Sequence, residues 1–358
     1  MLKRLIKVKR RKGFVFENQL ELATQRPTME SLGPITRLYH CRSFFIFLLS
    51  LITFVTFTFL SPNMNFARWN NFSTMMKIMP EFGIPTLGMA LLLISGEFDL
   101  SIGSIFAFCA MVAAWSYYHW GLHPILGLLL AMGVGALLGL INGLIVTKTK
   151  VSSLIVTLGT MWVYRGLLFM ITGGFPVYYH PERTFPLYYK LLVGNLGPAP
   201  AQMVWMIGLT ALLYVLLEHT RLGNWIFSTG SNKEAARFMG INTDKVKIIC
   251  FMITGTLSAL AGVMQSCRLH GAYTVQGQML NLRAIAAAVV GGNSIFGGVG
   301  TVPGAFFGAL IIQFLDSGFL AIGLSMFHFY VALGSTLIAV VFANLWLRSR
   351  RTLRYQAK

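Results

Sequence analysis

Acidic residues are scarce in this chain of 358 residues, since 11 Asp and Glu stand against 29 Lys and Arg. The four cysteines are scattered and fit neither a metal-ligand spacing nor a disulfide framework. No Gly-Lys pair occurs, so the G-x-x-x-x-G-K-[ST] phosphate loop of ATP-hydrolysing subunits is excluded. H-E-x-x-H and G-x-S-x-G are also missing, and we find none of the 7 histidines at metal-ligand spacing from a cysteine or an acid. We therefore expect no catalytic residue, no metal site and no bound cofactor.

Long apolar runs dominate what remains, with 55% hydrophobic residues and a mean hydropathy of +0.67. About 20 apolar residues cross a bilayer. The runs cover residues 43–60, 75–95, 101–118, 124–146, 153–171, 202–217, 248–267, 284–292, 305–313 and 319–346. Two of them are short, so the count lies between eight and ten spans, and we favour ten. The pattern predicts an all-α polytopic membrane protein.

The basic residues predict how the chain is oriented in the membrane. They cluster in residues 1–42, 148–150, 221–247 and 348–358. The positive-inside rule then places both termini in the cytoplasm. We predict a cytoplasmic extension (1–42), a transmembrane domain (43–347) with a cytoplasmic loop (220–247), and a basic tail (348–358). This clustering argues against nucleic acid as the partner; the extension is either a solvated tail or a contact to anionic lipid.

Two segments interrupt the apolar pattern at membrane depth, residues 95–104 (SGEFDLSIGS) and 290–304 (VGGNSIFGGVGTVPG). Irregular backbone in a membrane is tolerated only inside protein or beside water. Interrupted segments in matching places of two halves are typical of internally repeated transporters. We therefore predict two pseudo-symmetric halves and a pathway formed by these breaks. Elsewhere, glycines at helix-packing spacing (Gly133, Gly135, Gly139 and Gly143) predict close approach of the fourth helix to its neighbours.

Charged and polar residues mark the predicted pathway. Glu97 and Asp99 have two interpretations, a turn or helix cap that includes Ser101, and a direct role in transport. Arg165 needs a carboxylate, carbonyl or water partner, unless it extends to an interface. Other titratable groups deep in the spans are nearly absent, which disfavours an ion-coupled secondary transporter. The full set of predicted pathway residues is Gly96, Glu97, Asp99, Ser101, Asn142, Thr157, Arg165, Gly291, Gly292 and Asn293.

A polar helix is predicted in the cytoplasmic loop at residues 231–240. Ser231 and Glu234 fit the S-x-x-E capping box, and Gly240 fits a C′ glycine that ends the helix. A short, self-terminated helix between membrane spans predicts a docking element. Its alternative is a helix on the membrane surface, with Phe238 among the headgroups.

Together these motifs resemble the permease subunits of bacterial simple-sugar ABC importers, of the ribose, arabinose, xylose and galactose type. The resemblance is carried by residues 87–104 (LGMALLLISGEFDLSIGS), by Asn142 with residues 153–161 (SLIVTLGTM) and Arg165, and by residues 284–301 (AIAAAVVGGNSIFGGVGT). The chain departs from the family pattern at Glu97, an added acid, and at Val299, where a basic residue is common.

The resemblance implies a cytoplasmic ABC ATPase that binds ATP, an extracytoplasmic sugar-binding protein and a second permease copy or paralogue. It implies a multi-pass protein of the bacterial inner membrane that is not itself an enzyme. Residues 234–240 match the E-A-A-x-x-x-G pattern by which such permeases contact their ATPases. The implied coupling residues are Ser231, Glu234, Ala235, Ala236, Phe238, Met239 and Gly240. The sequence leaves the cargo open between a monosaccharide and a nucleoside, a branched-chain amino acid or a furanose-like signalling molecule.

Overall fold

A computed structural model describes residues 42–339 and residue 342 of the chain. Within these residues, eight helices are long and apolar enough to cross a membrane, and two shorter apolar helices accompany them. The helices are α1 (Arg42–Leu60), α2 (Trp69–Ile94), α3 (Ile102–Trp120), α4 (Pro124–Thr149), α5 (Ser153–Thr172), α6 (Pro181–Thr184), α7 (Pro186–Leu192), α8 (Ala201–His219), α9 (Arg221–Ser231), α10 (Lys233–Phe238), α11 (Thr243–Arg268), α12 (Leu280–Val290), α13 (Val302–Ala321) and α14 (Met326–Ala339). The predicted polytopic all-α class is confirmed.

The chain divides by its contacts into residues 1–45 and residues 46–358, and each is a unit by itself. The predicted tails, residues 1–42 and 348–358, lie outside the described residues except for Arg42, at which α1 begins. The site described below lies entirely in the second unit.

Helices α2 and α11 form the centre of the bundle. α11 packs against α2, α3 and α4, and most of α2 is buried. α2 contains Pro80 and Pro85 in its interior. Each proline removes a backbone donor, and a buried helix tolerates this because its neighbours can pair the freed carbonyls. In contrast, α4, α5 and α8 expose many leucines and aromatic residues, as expected of lipid-facing helices.

Glycines bring α4 against α11, as the spacing predicted. A Cβ on Gly139 would lie 2.3 Å from the carbonyl oxygen of Phe251, and one on Gly135 would lie 2.5 Å from that of Gly255. Gly143 approaches Ile248 in the same way. A Cβ on Gly133 would meet no atom within 4 Å, so this member of the predicted set does not pack. Three of the four predicted glycines therefore serve the helix contact.

The last helices begin and end differently from the predicted runs. The short run at residues 305–313 belongs to the 20-residue helix α13, and the run at 319–346 is divided before α14 begins at Met326. Gly323 has φ +83°, a left-handed conformation that glycine adopts without strain, and it turns the chain after α13. Of the two helices next to the second break, α13 is long enough to span a bilayer, whereas α12, with 11 residues, is too short.

Short strands join the connections on the side opposite to the predicted cytoplasmic loop. β1 (Val177–Tyr178) pairs antiparallel with β4 (Gly271–Ala272). β2 (Asn195–Leu196) pairs with β3 (Ala199–Pro200). The first ladder ties the α5–α8 connection to the α11–α12 connection, although 93 residues separate Tyr178 from its partner Gly271. The bundle is therefore closed on this side by paired backbone as well as by helix packing.

Candidate coupling and translocation site

The predicted cytoplasmic helix is present as α10, but its cap differs from the prediction. The N-cap is Asn232, whose Oδ1 accepts hydrogen bonds from the backbone N–H groups of Glu234 (3.1 Å) and Ala235 (3.0 Å). Ser231 instead ends the preceding helix α9. The predicted capping box of Ser231 and Glu234 is therefore wrong by one residue, because α9 was not anticipated.

The C-terminal end of α10 confirms the predicted role of Gly240 in ending the helix. Gly240 has φ +82° and donates its N–H to the carbonyl of Arg237 at 2.9 Å. Beyond it, Asn242 caps α11 by accepting from the N–H of Lys245 at 3.0 Å. Arg237 also pairs with Asp244, at 2.6 Å between Nη2 and Oδ2. A short helix capped at both ends and braced against α11 has little freedom to move independently of α11.

An apolar pair projects from this polar helix. Phe238 is 90% exposed and Met239 is 82% exposed. Ala235 is exposed on the same helix, whereas Ala236 is buried against the chain itself and is not available to a partner. Large apolar side chains that are almost fully exposed in a charged setting indicate a contact surface.

Within this loop, the end of α9 touches both breaks at one point. A Cβ on Gly230, near the end of α9, would lie 1.8 Å from the carbonyl oxygen of Ile94 and 2.6 Å from the backbone nitrogen of Gly298. That nitrogen donates a hydrogen bond to the same Ile94 carbonyl at 2.8 Å. Likewise, a Cβ on Gly297 would lie 3.0 Å from the Cα of Gly96. The two breaks and the cytoplasmic loop therefore meet backbone to backbone, which we call the glycine junction (Gly96, Gly230, Gly297 and Gly298).

An ion pair joins the same parts of the molecule. Lys247 Nζ, in the first turns of α11, contacts Glu97 Oε1 in the first break. The two side chains are 9% and 12% exposed. Glu97 thus has a specific and largely buried partner. The pair provides a second link between the cytoplasmic loop and the first break.

Several predicted pathway residues form one buried hydrogen-bond network. Asp99 Oδ1 accepts from the backbone N–H and from the hydroxyl of Ser101, each at 2.7 Å. The amide of Asn142 donates to Asp99 Oδ2 at 3.1 Å and to Ser101 Oγ at 2.8 Å. Tyr164 donates to Asn142 Oδ1 at 3.0 Å, and Thr157 Oγ1 accepts a backbone N–H of the break at 3.0 Å. The network fixes the start of α3 to α4 and α5, in agreement with the turn interpretation of Asp99.

The second break is closed by Asn293. Its Nδ2 donates to the carbonyl of Ala288 at 2.8 Å, and its Oδ1 accepts from the N–H of Thr301 at 2.9 Å. Next to it, a Cβ on Gly291 would lie 2.3 Å from the carbonyl oxygen of Gly304, where α12 crosses the start of α13. Gly292 has φ +85°, so the turn itself requires a glycine.

These placements bear on the predicted pathway residues. Asp99, Ser101, Asn142, Thr157 and Asn293 are each fully buried, and their polar atoms are bonded within the protein. In this conformation they hold the breaks together and do not line an open pathway. Their role in the translocation pathway stays a prediction, and it requires another conformation.

Arg165 finds carbonyl partners in the membrane, one of the predicted outcomes. Its Nη1 donates to the carbonyl of Thr274 and, at 2.9 Å, to that of Gln276. Its Nη2 donates to the carbonyl of Gly103 at 3.0 Å. Arg165 thereby ties the irregular segment before the half-length helix α12 to the start of α3. Irregular backbone at this depth is paired by a side chain, as a membrane requires.

The expectation of few buried charges in the spans is wrong. Glu81, in the middle of α2, is 3% exposed and pairs with Arg268 at the end of α11. Gln265 also donates to Glu81, at 2.7 Å. In addition, Arg283 on α12 pairs with Asp316 on α13 at 3.3 Å. The partners are far apart along the chain, so no local spacing in the sequence predicts these pairs.

The fold brings together two histidines and an acid that the sequence spacing did not pair. His180, Glu182 and His270 bring one ligand atom each to within 4.8 Å of one another. The three residues belong to the connections that the β1–β4 ladder joins. His180 and Glu182 are close in sequence, but His270 is brought to them only by this ladder.

Comparison with known proteins places this chain among transport permeases. Residues 71–343 match the family described as branched-chain amino acid transport system / permease component. The chain is 35% identical to the xylose/arabinose import permease protein XylH of Sulfolobus acidocaldarius over 306 residues, which cover 83% of each chain. It is 37% identical to the ribose import permease protein RbsC of Escherichia coli K12 over 286 residues, 79% of this chain and 87% of that one.

A third relative carries a different cargo name. The autoinducer 2 import system permease protein LsrC of Photorhabdus luminescens is 33% identical over 255 residues, 71% of this chain and 76% of its own length. The family match, residues 71–343, includes both breaks, the network of Asp99 and the cytoplasmic loop with α10. No solved structure matches the chain.

Proposed function

Because this chain belongs to the family of branched-chain amino acid transport system / permease components, we propose that it is the membrane subunit of an ATP-driven importer for a monosaccharide. It is a multi-pass protein of the inner membrane. The sugar assignment rests on relatives named for xylose, arabinose and ribose import. The observation that carries the coupling role is the helix α10 with its exposed Phe238 and Met239.

The proposed partners follow from the same helix and from the sequence. A separate cytoplasmic ATPase binds and hydrolyses ATP, since this chain has no phosphate loop. Phe238 and Met239 enter a groove of that ATPase, in the manner of a helix with adjacent apolar anchors. On the opposite side a sugar-binding protein delivers the cargo, and a second permease copy or a paralogue completes the pathway.

The proposed transmission runs from α10 to the breaks by two routes. Movement of the ATPase displaces α10, which is braced to α11 by Arg237 and Asp244. The first route is the glycine junction, where the end of α9 presses on both breaks. The second is the pair of Lys247 and Glu97. Close-packed backbone cannot yield by small adjustments, so the breaks shift with the loop and rearrange the buried network.

One relative is named for a different cargo, autoinducer 2, and this cargo should also be tested in an uptake assay. The similarity to the autoinducer 2 permease favours a furanose-like signalling molecule over a nucleoside or an amino acid. The two cargoes are distinguished by uptake of radiolabelled ribose, xylose, arabinose and autoinducer 2 into cells that express the chain with its ATPase and binding protein. The architecture and the coupling role are the same for either result.

The coupling role predicts the effect of a charge on the exposed pair. Phe238→Asp should leave insertion and thermal stability unchanged, because the side chain touches little of its own chain. It should reduce co-purification of the ATPase and uptake by about 10-fold or more, as expected when an aromatic anchor of an interface is lost. Affinity purification from detergent, followed by quantification of the ATPase, measures the first effect.

Phe175→Asp is the matched control. Phe175 is 74% exposed and lies after α5, on the side opposite to α10. This variant should retain the ATPase. Full retention of the ATPase by the Phe238→Asp protein would remove α10 from the proposed interface.

A further inference from the structure

The β1–β4 ladder builds a pocket of histidines on the side opposite to the cytoplasmic loop. The N–H of Tyr179, directly after β1, donates to the carbonyl of His270 at 3.1 Å. This bond sets His180 beside His270, and their rings stack with centroids 5.2 Å apart and planes at 13°. Two imidazoles from distant parts of the chain are thus placed next to each other.

Glu182, in the first turn of α6, reaches both rings with one oxygen. Its Oε1 lies 2.9 Å from Nδ1 of His180 and 3.3 Å from Nδ1 of His270. Its Oε2 is buried and makes no hydrogen bond with the residues that the structure describes. The side chains of His180, Glu182 and His270 are 33%, 26% and 42% exposed, so the cluster lies at the solvent boundary with Glu182 Oε2 and His270 Nδ1 just below the surface. The cluster has spare ligand capacity close to solvent.

We propose that His180, Glu182 and His270 form a binding site for a divalent transition-metal ion, with Zn²⁺ as the best match. The ligands would be the two Nδ1 atoms and the carboxylate of Glu182. Two imidazoles and one carboxylate are a ligand set that Zn²⁺ takes, at about 2.0–2.2 Å from each atom, with a fourth position left to water. The site is distinct from the coupling helix and from the breaks.

The surroundings hold these ligands in place. Tyr178 stacks on His180 at 6.2 Å and Tyr189 stacks on His270 at 6.0 Å between ring centroids. His270 also has φ +55°, a left-handed backbone that is unfavourable for a residue with a Cβ and that concentrates at functional sites. Surrounding groups that fix the ring planes of the ligands are typical of metal sites.

The charge of Glu182 also suits a cation. Burial acts to raise its pKa, but hydrogen bonds from the backbone and His180, together with the two imidazoles, hold the pKa below its ordinary value. The group is therefore a carboxylate at neutral pH. Without a metal, only His180 is hydrogen-bonded to Glu182, whereas His270 Nδ1 has no hydrogen-bond partner among the residues that the structure describes.

Because of its location between two connections of the chain, a bound metal ion should affect transport. The site links the α5–α8 connection to the α11–α12 connection, which also contains the carbonyls of Thr274 and Gln276 that Arg165 holds. A bound ion would cross-link the two connections and resist their separation. We therefore expect Zn²⁺ to slow uptake reversibly, a consequence that rests on the proposed transport function, whereas binding of the ion does not.

The test uses the purified full-length chain in detergent, treated with a chelator and titrated with Zn²⁺ by calorimetry. One ion should bind per chain, and Zn²⁺ should raise the unfolding temperature. Glu182→Gln keeps the shape of the side chain, and this variant and His270→Ala should each weaken binding by about 10-fold or more. His219→Ala, at the other end of the bundle on α8, is the control and should bind as the original chain does.

Three results would overturn the site. They are the absence of stoichiometric binding, equal binding by the Glu182→Gln chain, and an equal loss in the His219→Ala control. In the transport assay, Zn²⁺ should slow uptake by the original chain but not by the Glu182→Gln chain. Binding without inhibition would retain the metal site and reject only its effect on transport.

Discussion

Gly230→Ala should abolish uptake while the ATPase remains bound. The new Cβ would lie 1.8 Å from the Ile94 carbonyl oxygen and 2.6 Å from the nitrogen of Gly298. These are backbone atoms and cannot rotate away, so the end of α9 must retreat from both breaks. The docking pair on α10 is untouched. We expect uptake to fall by about two orders of magnitude, the scale on which small displacements of a working geometry act, with ATPase co-purification unchanged.

The control for this variant is Gly208→Ala on α8. No atom lies within 4 Å of a Cβ at Gly208, so uptake and stability should be unchanged. Thermal unfolding in detergent separates loss of coupling from loss of fold. Normal uptake by a correctly inserted Gly230→Ala protein would contradict transmission through the glycine junction.

Reversal of the Glu97–Lys247 pair should produce a second large effect. Breaking a buried ion pair by removing one partner costs about 3–5 kcal/mol, because the remaining charge is left without compensation. Glu97→Lys and Lys247→Glu should each lower the unfolding temperature and uptake strongly. The double variant restores opposite charges at the same two positions and should recover most of both losses.

The exposed pair of Lys233 and Asp244 supplies the comparison. Its side chains are 36% and 38% exposed, and its atoms lie 3.4 Å apart. Lys233→Ala removes this exposed pair, leaves the Arg237–Asp244 pair in place and should change stability by only about 0.2–1 kcal/mol. If the Glu97→Lys, Lys247→Glu double variant is as unstable as the two single changes combined, the pair does not form the link described above.

The sequence predicted those features that depend on local pattern. Apolar runs and basic clusters are local, and they predicted the helices and their class. Gly240 was predicted because a helix that ends in a polar loop needs a left-handed residue at C′. Gly135, Gly139 and Gly143 were predicted because close helix contacts in a membrane favour small residues at this spacing.

Features that depend on tertiary contacts escaped prediction. The cap moved from Ser231 to Asn232 because α9 continues to Ser231 and leaves the next residue to begin α10. Arg268 pairs with Glu81 from 187 residues away, a distance along the chain that no motif spans. His270 meets Glu182 only because β1 pairs with β4. Such partners become visible only when the packing of the helices is known.

The breaks were located correctly, but the hydrogen bonds of Asn293 within the second break were not anticipated. Asp99 and Asn293 are polar groups at membrane depth, and the sequence offered the pathway or a turn for Asp99 and the pathway alone for Asn293. In the structure both side chains form hydrogen bonds with backbone groups of their own break or next to it. Glycine-rich turns leave backbone N–H and C=O groups that water cannot reach at this depth, and these side chains pair with them.

The sidedness of α10 is the most direct test of the central claim that a cytoplasmic ATPase drives this chain. Phe238→Cys, in a chain with Cys41→Ser, would be treated with a membrane-impermeant maleimide, since Cys109, Cys250 and Cys267 are buried. Phe175→Cys serves as the marker of the opposite side. We predict that position 238 is labelled in inside-out vesicles only and position 175 in right-side-out vesicles only. Labelling of position 238 in right-side-out vesicles would place the helix beyond the reach of any cytoplasmic ATPase and contradict the account.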